Sequence, residues 1–459
     1  MITGRVFSIF FFVLTVYLPA AAQLQPVYAF QKDDTILKKS LYQQSIEKKK
    51  ELIASVDKKL ADDYKKIYDE QFKEIAAIWE STRSVTAPEA YHYLQSLVQK
   101  IIGANPELKD SDARVIFSRD WWPNAFSMGD GTIVINAGLM VFLDNEAELI
   151  FVICHELAHY YLEHTPKMIR KYVETVNSES YQNELKRLSK TAFRANQQLE
   201  DLAKSFAFNT HRHRRENEAD ADRQAFIFMK KTGYDCNAIR TGLALLDKVD
   251  DTSVYKPLVL ESVLDFPGYP FKKKWIQTES SIFSQLKEDD SPLTKSEKDS
   301  LKTHPDCSKR IELLQDSIRS LTSGGQKFLV NETVFHRLKK DFFIEMTEQC
   351  YREKNLSRNL YLSLLQLQSD ENNSTAIYSV ARCLNQVYLY QKDHKLGLLK
   401  DVENKTQRKD YNLLLRMLDK LRLEEIASIN HAFCQRHSAV MKDHKEFHEE
   451  MKQAQKFKN

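Results

Sequence analysis

A stretch of apolar helix that carries two histidines and a glutamate constrains this chain more than any other feature. It reads VICHELAHYYLEH at residues 152–164. Residues four apart share a face of an α-helix, so His155 and His159 can aim their imidazoles at one point, as a tetrahedral zinc ion requires. Glu156 would then lie beside the metal, where its carboxylate can take a proton from metal-bound water. Burying these three side chains is unfavourable unless a partner such as a metal satisfies them.

A chance pattern in an ordinary buried helix is the alternative, and a third ligand would decide between the two interpretations. Catalytic zinc keeps three protein ligands and one position open for water. His164 is the nearest further histidine and follows His159 by five residues. On a continuous helix this separation turns its side chain about 140° away from that of His159. The spacing therefore predicts that His164 is not a ligand and instead supports the site or caps the helix.

Acidic residues farther along the chain are better candidates for the third ligand. They lie in the run RRENEADAD, residues 214–222, which has helical character. Glu216 and Asp220 share one helical face, so the glutamate could complete the metal site while the aspartate accepts a hydrogen bond from a ligand imidazole. Glu218 and Asp222 share the next face and offer a rival register. Without a metal, the alternative is a solvated charged helix paired with neighbouring arginines.

Two strands are predicted before the histidine-bearing helix. The segments ARVIFS (113–118) and TIVINAG (132–138) are rich in β-branched residues, and the turn GDG (129–131) directly precedes the second. Helical periodicity resumes immediately afterwards. Asn145, with Glu148 three residues later, predicts a capped start for that helix.

Composition excludes some classes of function. The 459 residues include 67 Lys plus Arg and 64 Asp plus Glu, a balance that gives no basic surface for nucleic acid. The six cysteines are scattered singly and form no Cys-x-x-Cys metal site. A globular protein that does not bind nucleic acid is therefore expected.

The first 22 residues differ in character from the rest. A charged start is followed by an apolar run at residues 6–18 and by Ala20-Ala21-Ala22. This pattern predicts a signal peptide cleaved after Ala22, and hence an exported protein, periplasmic or secreted. An uncleaved membrane anchor is the alternative, although the run is shorter than the roughly 20 residues that a span needs. No transmembrane segment is expected after cleavage.

Helical periodicity dominates the remainder of the chain. Residues 23–80 predict amphipathic helices, 81–323 contain the strands and the metal motif, and 324–459 predict a helical region. That last region is either similar to a tetratricopeptide repeat or an unrelated bundle. The predicted fold class is α+β and predominantly α, with a small sheet and a C-terminal helical domain.

Together these motifs closely resemble the zinc metallopeptidase family of the CAAX prenyl proteases and bacterial heat-shock membrane proteases, of the minigluzincin type. In layout the chain is most similar to the soluble periplasmic branch, which includes the β-barrel assembly-enhancing protease. The resemblance implies a zincin-like core over roughly residues 80–320. It is carried by Asn124-Ala125-Phe126, a glycine-containing turn, Thr132 to Asn136, Gly138-Leu139, His155-Glu156-Leu157-Ala158-His159 and Glu216-x-x-x-Asp220.

The resemblance also implies roles for individual residues. Zinc would be held by His155, His159 and Glu216. Glu156 would be the general base, and Asp220 would accept a hydrogen bond from a ligand imidazole. A zinc ion is therefore the expected cofactor.

Two more features follow from the same resemblance. The family commonly carries a His-Pro with a following Arg, here His304, Pro305 and Arg310. His304 could occupy the open zinc position and keep the enzyme latent, or stabilise the oxyanion of the intermediate, with Arg310 nearby. The strand at 132–136 would be an edge strand that pairs with an extended substrate. The turn at 127–131 departs from the Pro-Gly-Gly type usual in the family.

The sequence thus predicts an exported zinc endopeptidase that hydrolyses unfolded or misassembled envelope or secreted proteins, by analogy with the family. Protein or peptide substrates are expected, and a protein partner on the C-terminal helices is a further hypothesis. One alternative is a chaperone-like binding protein whose zinc site is latent or structural. The other is a helical scaffold without a metal.

Overall fold

A computed structural model describes six stretches of the chain. The signal peptide predicted at 1–22 and the site residue predicted at His304 lie outside them. The described stretches are residues 30–190, 215–250, 256–277, 307–320, 324–404 and 407–459.

Two helices form the N-terminal part, and the second of them carries the buried apolar stripe that the periodicity predicts. Helix α1 (Thr35–Ala54) begins after Asp34, whose carboxylate accepts two backbone N–H groups of its first turn. Helix α2 (Ala61–Glu80) packs one end of its buried stripe on the sheet and the other end on a helix at 164–177. The stripe consists of Tyr64, Tyr68, Phe72, Ile75 and Trp79.

A four-stranded sheet lies beneath these helices. Its order is β1-β2-β4-β3, with β2 and β4 parallel and the two outer pairs antiparallel. Gly129 and Gly131 have φ angles of 74° and 88°, and this left-handed backbone lets the chain turn between β3 and β4. The strands are β1 (Ser84–Val85), β2 (Arg114–Ser118), β3 (Ala125–Ser127) and β4 (Thr132–Asn136).

The sheet order corrects the expectation that Thr132–Asn136 is an edge strand. This strand, β4, is hydrogen-bonded to β2 on one side and to β3 on the other, and every one of its residues is buried. An interior strand has no free backbone groups with which to bind a substrate. On this side of the sheet, β3 forms the edge instead.

Helices cover the second face of the sheet and form the main core there. These are α3 (Pro88–Ala104), the short α4 (Ala137–Met140) and α5 (Glu146–Tyr161). Asn145 caps α5 as predicted, since its side chain accepts the N–H of Glu148. From Glu146 to Ala158 every residue of α5 is buried, so His155 and Glu156 lie in the core, and His159 lies at its border.

The remaining helices follow in two groups. The first consists of α6 (His164–Asn177), α7 (Glu179–Lys190), α8 (helical over residues 215–229), α9 (Asn237–Asp250), α10 (Leu260–Leu264) and α11 (Cys307–Arg319). The C-terminal group consists of α12 (Glu332–Arg352), α13 (Leu356–Ser369), α14 (Ser374–Lys392), α15 (Lys409–Lys420), α16 (Leu423–His437) and α17 (Lys445–Lys458).

The C-terminal helices share one hydrophobic core with the sheet and α5. At their junction, the rings of Phe117 on β2 and Phe342 on α12 meet edge-on, with centroids 4.9 Å apart. The buried guanidinium of Arg119 lies 2.7 Å from Glu345 and 2.9 Å from Asp33 of the N-terminal segment. The fold is therefore the predicted one, α+β and predominantly α, and its parts are packed together.

None of the helices in the described stretches is both long and apolar enough to cross a membrane.

Candidate metal centre

Three side chains from two helices converge on one point, and two of them, His155 and Glu218, are buried while His159 is partly exposed. The Nε2 atoms of His155 and His159, on α5, lie 3.1 Å apart. Glu218, on α8, places one carboxylate oxygen 3.5 Å from the first of these atoms and the other oxygen 3.4 Å from the second. One ligand atom from each residue lies within 4.8 Å of the other two. Two imidazoles and a carboxylate at this spacing form the ligand set of a catalytic zinc site.

The structure places Glu218, and not the predicted Glu216, beside the two histidines. Glu216 is exposed, and so is Asp220, whose carboxylate pairs with Arg223 on the helix surface. Glu218 and Asp222 instead lie on the buried side of α8 and are only 6% and 1% exposed. The rival register is therefore the one that faces α5.

The sequence of α8 itself indicates that Glu218 and Asp222 face the core. Ala221, Ala225 and Met229 are all buried in the main core. They follow Glu218 at intervals of three, seven and eleven residues, which is the spacing of one helical face. The other register leads from Glu216 to the exposed Ile227. The apolar residues of α8 thus identify its inner face, and the acidic residues alone do not.

A second layer of charged groups holds the ligands. The Nδ1 atom of His155 lies 3.0 Å from an oxygen of Asp222. Arg310, on α11, donates two hydrogen bonds of 2.6 and 2.7 Å to Asp222, and its third nitrogen lies 2.9 Å from Glu218. The structure thus gives Asp222 the role expected of Asp220, and it places Arg310 against the site.

The charges around His155 favour a cation at this position. Burial alone would lower the pKa of its imidazole, but Asp222 and Glu218 raise it to about 10. Burial would likewise raise the pKa of the Asp222 carboxyl, yet Arg310 and His155 hold it at about 2. Surroundings that stabilise a protonated imidazole also stabilise a divalent ion held between the same groups. The residues therefore fit a zinc ion.

Glu156 is the general base that the sequence predicts. It directly follows His155 on α5 and is only 3% exposed, so its carboxylate is buried beside the first histidine along the helix. It is not one of the three converging side chains. A carboxylate beside the ligands can receive a proton from water at the metal.

His164 contacts the site from outside the ligand set. Its Nδ1 atom lies 2.8 Å from the Nδ1 atom of His159, on the side of that ring opposite the cluster. The helical-rotation argument does not apply, because α5 ends at Tyr161 and the chain turns through Glu163 with φ 54° and ψ 38°. Burial and the neighbouring His159 lower the pKa of His164 to about 4. It is thus a neutral imidazole that supports the site.

The edge strand β3 lies against α5. The carbonyl of Asn124 accepts the N–H of Asn136, which fixes the alternating pattern of the β3–β4 ladder. In that pattern the backbone groups of Ala125 and Ser127 point away from β4. Among the described residues no strand pairs with this side of β3, which makes it the candidate edge for another extended chain.

The loop that leads into β3 is fixed from two sides. The N–H of Gly138 donates to the carbonyl of Asp120 at 2.9 Å, and a Cβ atom at Gly138 would clash with the backbone of Trp121. On the other side, the Arg358 guanidinium lies 3.9 Å from the centre of the Trp121 ring. The C-terminal helices thus help to position the edge strand.

Comparison with known proteins identifies a family. The sequence model of peptidase family M48 matches residues 88–318, half of the chain. The matched segment includes α5, α8 and Arg310, and therefore every residue of the cluster described above. No curated protein matches the chain.

Proposed function

The chain belongs to peptidase family M48, and on that premise we propose that it is a zinc-dependent endopeptidase. The observation that carries the proposal is the convergence of His155, His159 and Glu218 on one buried point. A structural zinc would take a fourth protein ligand, whereas the described residues offer three at this point, which leaves one position for water. The arrangement therefore supports a catalytic site better than a structural one.

The residues around the cluster have distinct tasks in this reaction. A zinc ion bound there supplies a Lewis acid for the scissile carbonyl and for the attacking water. Glu156 takes the proton of that water and then passes it to the leaving amine. Asp222 holds Nδ1 of His155 and keeps Nε2 directed at the metal position. Arg310 in turn fixes Asp222 and Glu218 in place.

Substrate binding is assigned to the edge strand β3. An extended peptide that pairs with Ala125 and Ser127 would be held by main-chain hydrogen bonds, which select for an unfolded segment more than for a sequence. We assign as substrates unfolded or misassembled proteins of the compartment to which the predicted signal peptide at residues 1–22 leads. Export, the envelope substrates and the capping role of His304 are parts of this proposal that rest on the sequence alone.

The test separates metal binding from cleavage. Glu156→Gln should retain about one zinc per chain and lose cleavage of a reduced, carboxymethylated protein by about 100-fold or more. Glu174→Gln, an exposed glutamate on α6, is the matched control and should cleave normally. Cleavage by Glu156→Gln at the wild-type rate, or a wild-type protein without bound metal, would exclude the mechanism. Retained binding of unfolded protein without any cleavage in the wild type would favour the chaperone-like alternative.

A further inference from the structure

His159 and His164 form a histidine pair next to the candidate metal centre. Their Nδ1 atoms are 2.8 Å apart, and their rings meet edge-on with centroids 4.9 Å apart. The Nε2 atom of His159 points the other way, toward Nε2 of His155 at 3.1 Å. His164 therefore contacts the ring nitrogen that the cluster does not use.

The contact determines which nitrogen of His159 carries the proton. A neutral imidazole has one N–H donor and one acceptor nitrogen, and a metal can bind only the nitrogen that lacks the proton. With Nε2 on the metal, Nδ1 of His159 is the donor, and Nδ1 of His164 must accept. We propose that His164 is a positioning residue that accepts this hydrogen bond and holds His159 in the metal-binding tautomer and orientation.

The proposal implies that the two histidine ligands are not equivalent. Nδ1 of His155 lies 3.0 Å from the carboxylate of Asp222, which accepts two hydrogen bonds from Arg310. His159 instead donates to a neutral imidazole. A carboxylate acceptor makes an imidazole a stronger metal donor than a neutral acceptor does. His155 is therefore the tighter ligand, and His159 depends on His164 mainly for its orientation.

The fold holds His164 rigidly enough for this role. The left-handed residue Glu163 reverses the chain after α5, and α6 starts at His164, which is only 9% exposed. The next residue, Thr165, packs against the turn at Gly129 so closely that a Cβ there would contact its side chain at 2.9 Å. Since that turn joins β3 to β4, one packing contact fixes both the histidine pair and the end of the edge strand.

A pair of nearly isosteric variants tests the acceptor. His164→Asn keeps an acceptor oxygen close to the position of Nδ1, whereas His164→Leu has the same shape as asparagine and no acceptor. Zinc affinity is measured by competition with a chelator, and the Co²⁺-loaded proteins give a visible spectrum of the ligand geometry. The leucine variant should bind zinc 10–100-fold more weakly. It should also show an altered Co²⁺ spectrum and a lower kcat at nearly unchanged KM. The asparagine variant should stay within about threefold of wild type.

The outcomes separate this inference from the function on which it rests. A wild-type protein that neither binds zinc nor cleaves would refute the proposed function itself. If the wild type and the leucine variant bind zinc and cleave the substrate equally well, only the positioning role of His164 is refuted. Equal losses in both variants would also refute it, because packing and not the acceptor would then be the cause. His164→Ala replaces the leucine variant if that one does not fold, and His92→Leu on the surface of α3 is the control.

Discussion

The carboxylate that completes the metal cluster comes from Glu218, although Glu216 is only two residues away. The two differ in environment: Glu218 is buried against both histidines, and Glu216 is exposed. Glu218→Gln should therefore lower zinc affinity by at least about 100-fold and abolish cleavage, because an amide is a poor zinc ligand and leaves Arg310 without one of its anionic partners. Glu216→Gln, the same change on the outer face, should leave both properties unaltered. Zinc titration of the two purified variants decides the matter, and the reverse result would restore Glu216 as the ligand.

The two halves of the candidate site differ in how far the sequence predicts them. His155, Glu156 and His159 lie on one helix, so their geometry is set by local spacing alone. The third ligand comes from another helix, whose rotation about its own axis depends on which face packs in the core. That rotation is a tertiary property, and only the buried Ala221 and Ala225 reveal it.

At the level of secondary structure, the sequence predicts β2 and β4, but it does not predict the short strands β1 and β3 or the order of the sheet. TIVIN at 132–136 is β-branched and is correctly predicted as a strand, but a strand does not specify its neighbours. A continuous apolar run is typical of a strand that is covered on both faces, and this one is buried throughout. In the neighbouring strand β3, two of the three residues are only partly buried, as is typical of an edge strand.

The turn between α5 and α6 carries a left-handed residue that is not glycine. Glu163 has φ 54° and ψ 38° just beyond the end of α5, a position where glycine is the usual residue. Because an L-residue loses about 1 kcal/mol there and glycine does not, Glu163→Gly should leave stability unchanged or raise it by up to about 1 kcal/mol. Glu163→Val should lower it by more than about 1 kcal/mol, since a β-branched side chain fits this backbone worst.

The control for this turn lies on the helix that follows it. Glu174→Gly, at an exposed position inside α6, should lower stability by about 1 kcal/mol, because glycine weakens a helix interior. Urea unfolding of the metal-free proteins gives all three differences. The same substitution to glycine should thus have opposite or unequal effects at two positions 11 residues apart, and equal losses would contradict the turn assignment.

In the whole molecule, one buried carboxylate joins the peptidase core to the chain that leads into the C-terminal helices. Glu146, the first residue of α5, accepts backbone N–H groups from each residue of the segment 329–331 at 2.7–2.9 Å. It also accepts the hydroxyls of Tyr93 and Tyr234 at 3.0 and 2.9 Å. Since the hydrophobic core is continuous across this junction, we expect the two parts to unfold together.

Replacing this carboxylate should destabilise the whole molecule in one step. In Glu146→Gln the amide NH2 faces at least one backbone N–H of the 329–331 segment, which can only donate, so we expect a loss of about 2–4 kcal/mol. Circular dichroism and tryptophan fluorescence should still report one coincident transition. Glu89→Gln is the matched control, because its exposed ion pair with Arg337 joins the same two parts and should contribute less than about 1 kcal/mol. Two separate transitions, with only one displaced by the substitution, would contradict a shared core.

The dependence of stability on pH gives a second test of the Glu146 carboxylate. Burial opposes ionisation of Glu146, but its hydrogen bonds to the 329–331 backbone lower its pKa below the ordinary 4.5. A carboxyl with a depressed pKa in the folded state contributes stability that is fully present above the unfolded value and is lost as the pH falls through the folded one. Stability of the wild type should therefore decline below about pH 4.5 more steeply than that of Glu146→Gln. Urea unfolding at pH 7, 4.5 and 3.5 compares the slopes, and parallel profiles would show that Glu146 does not stabilise the junction as a carboxylate.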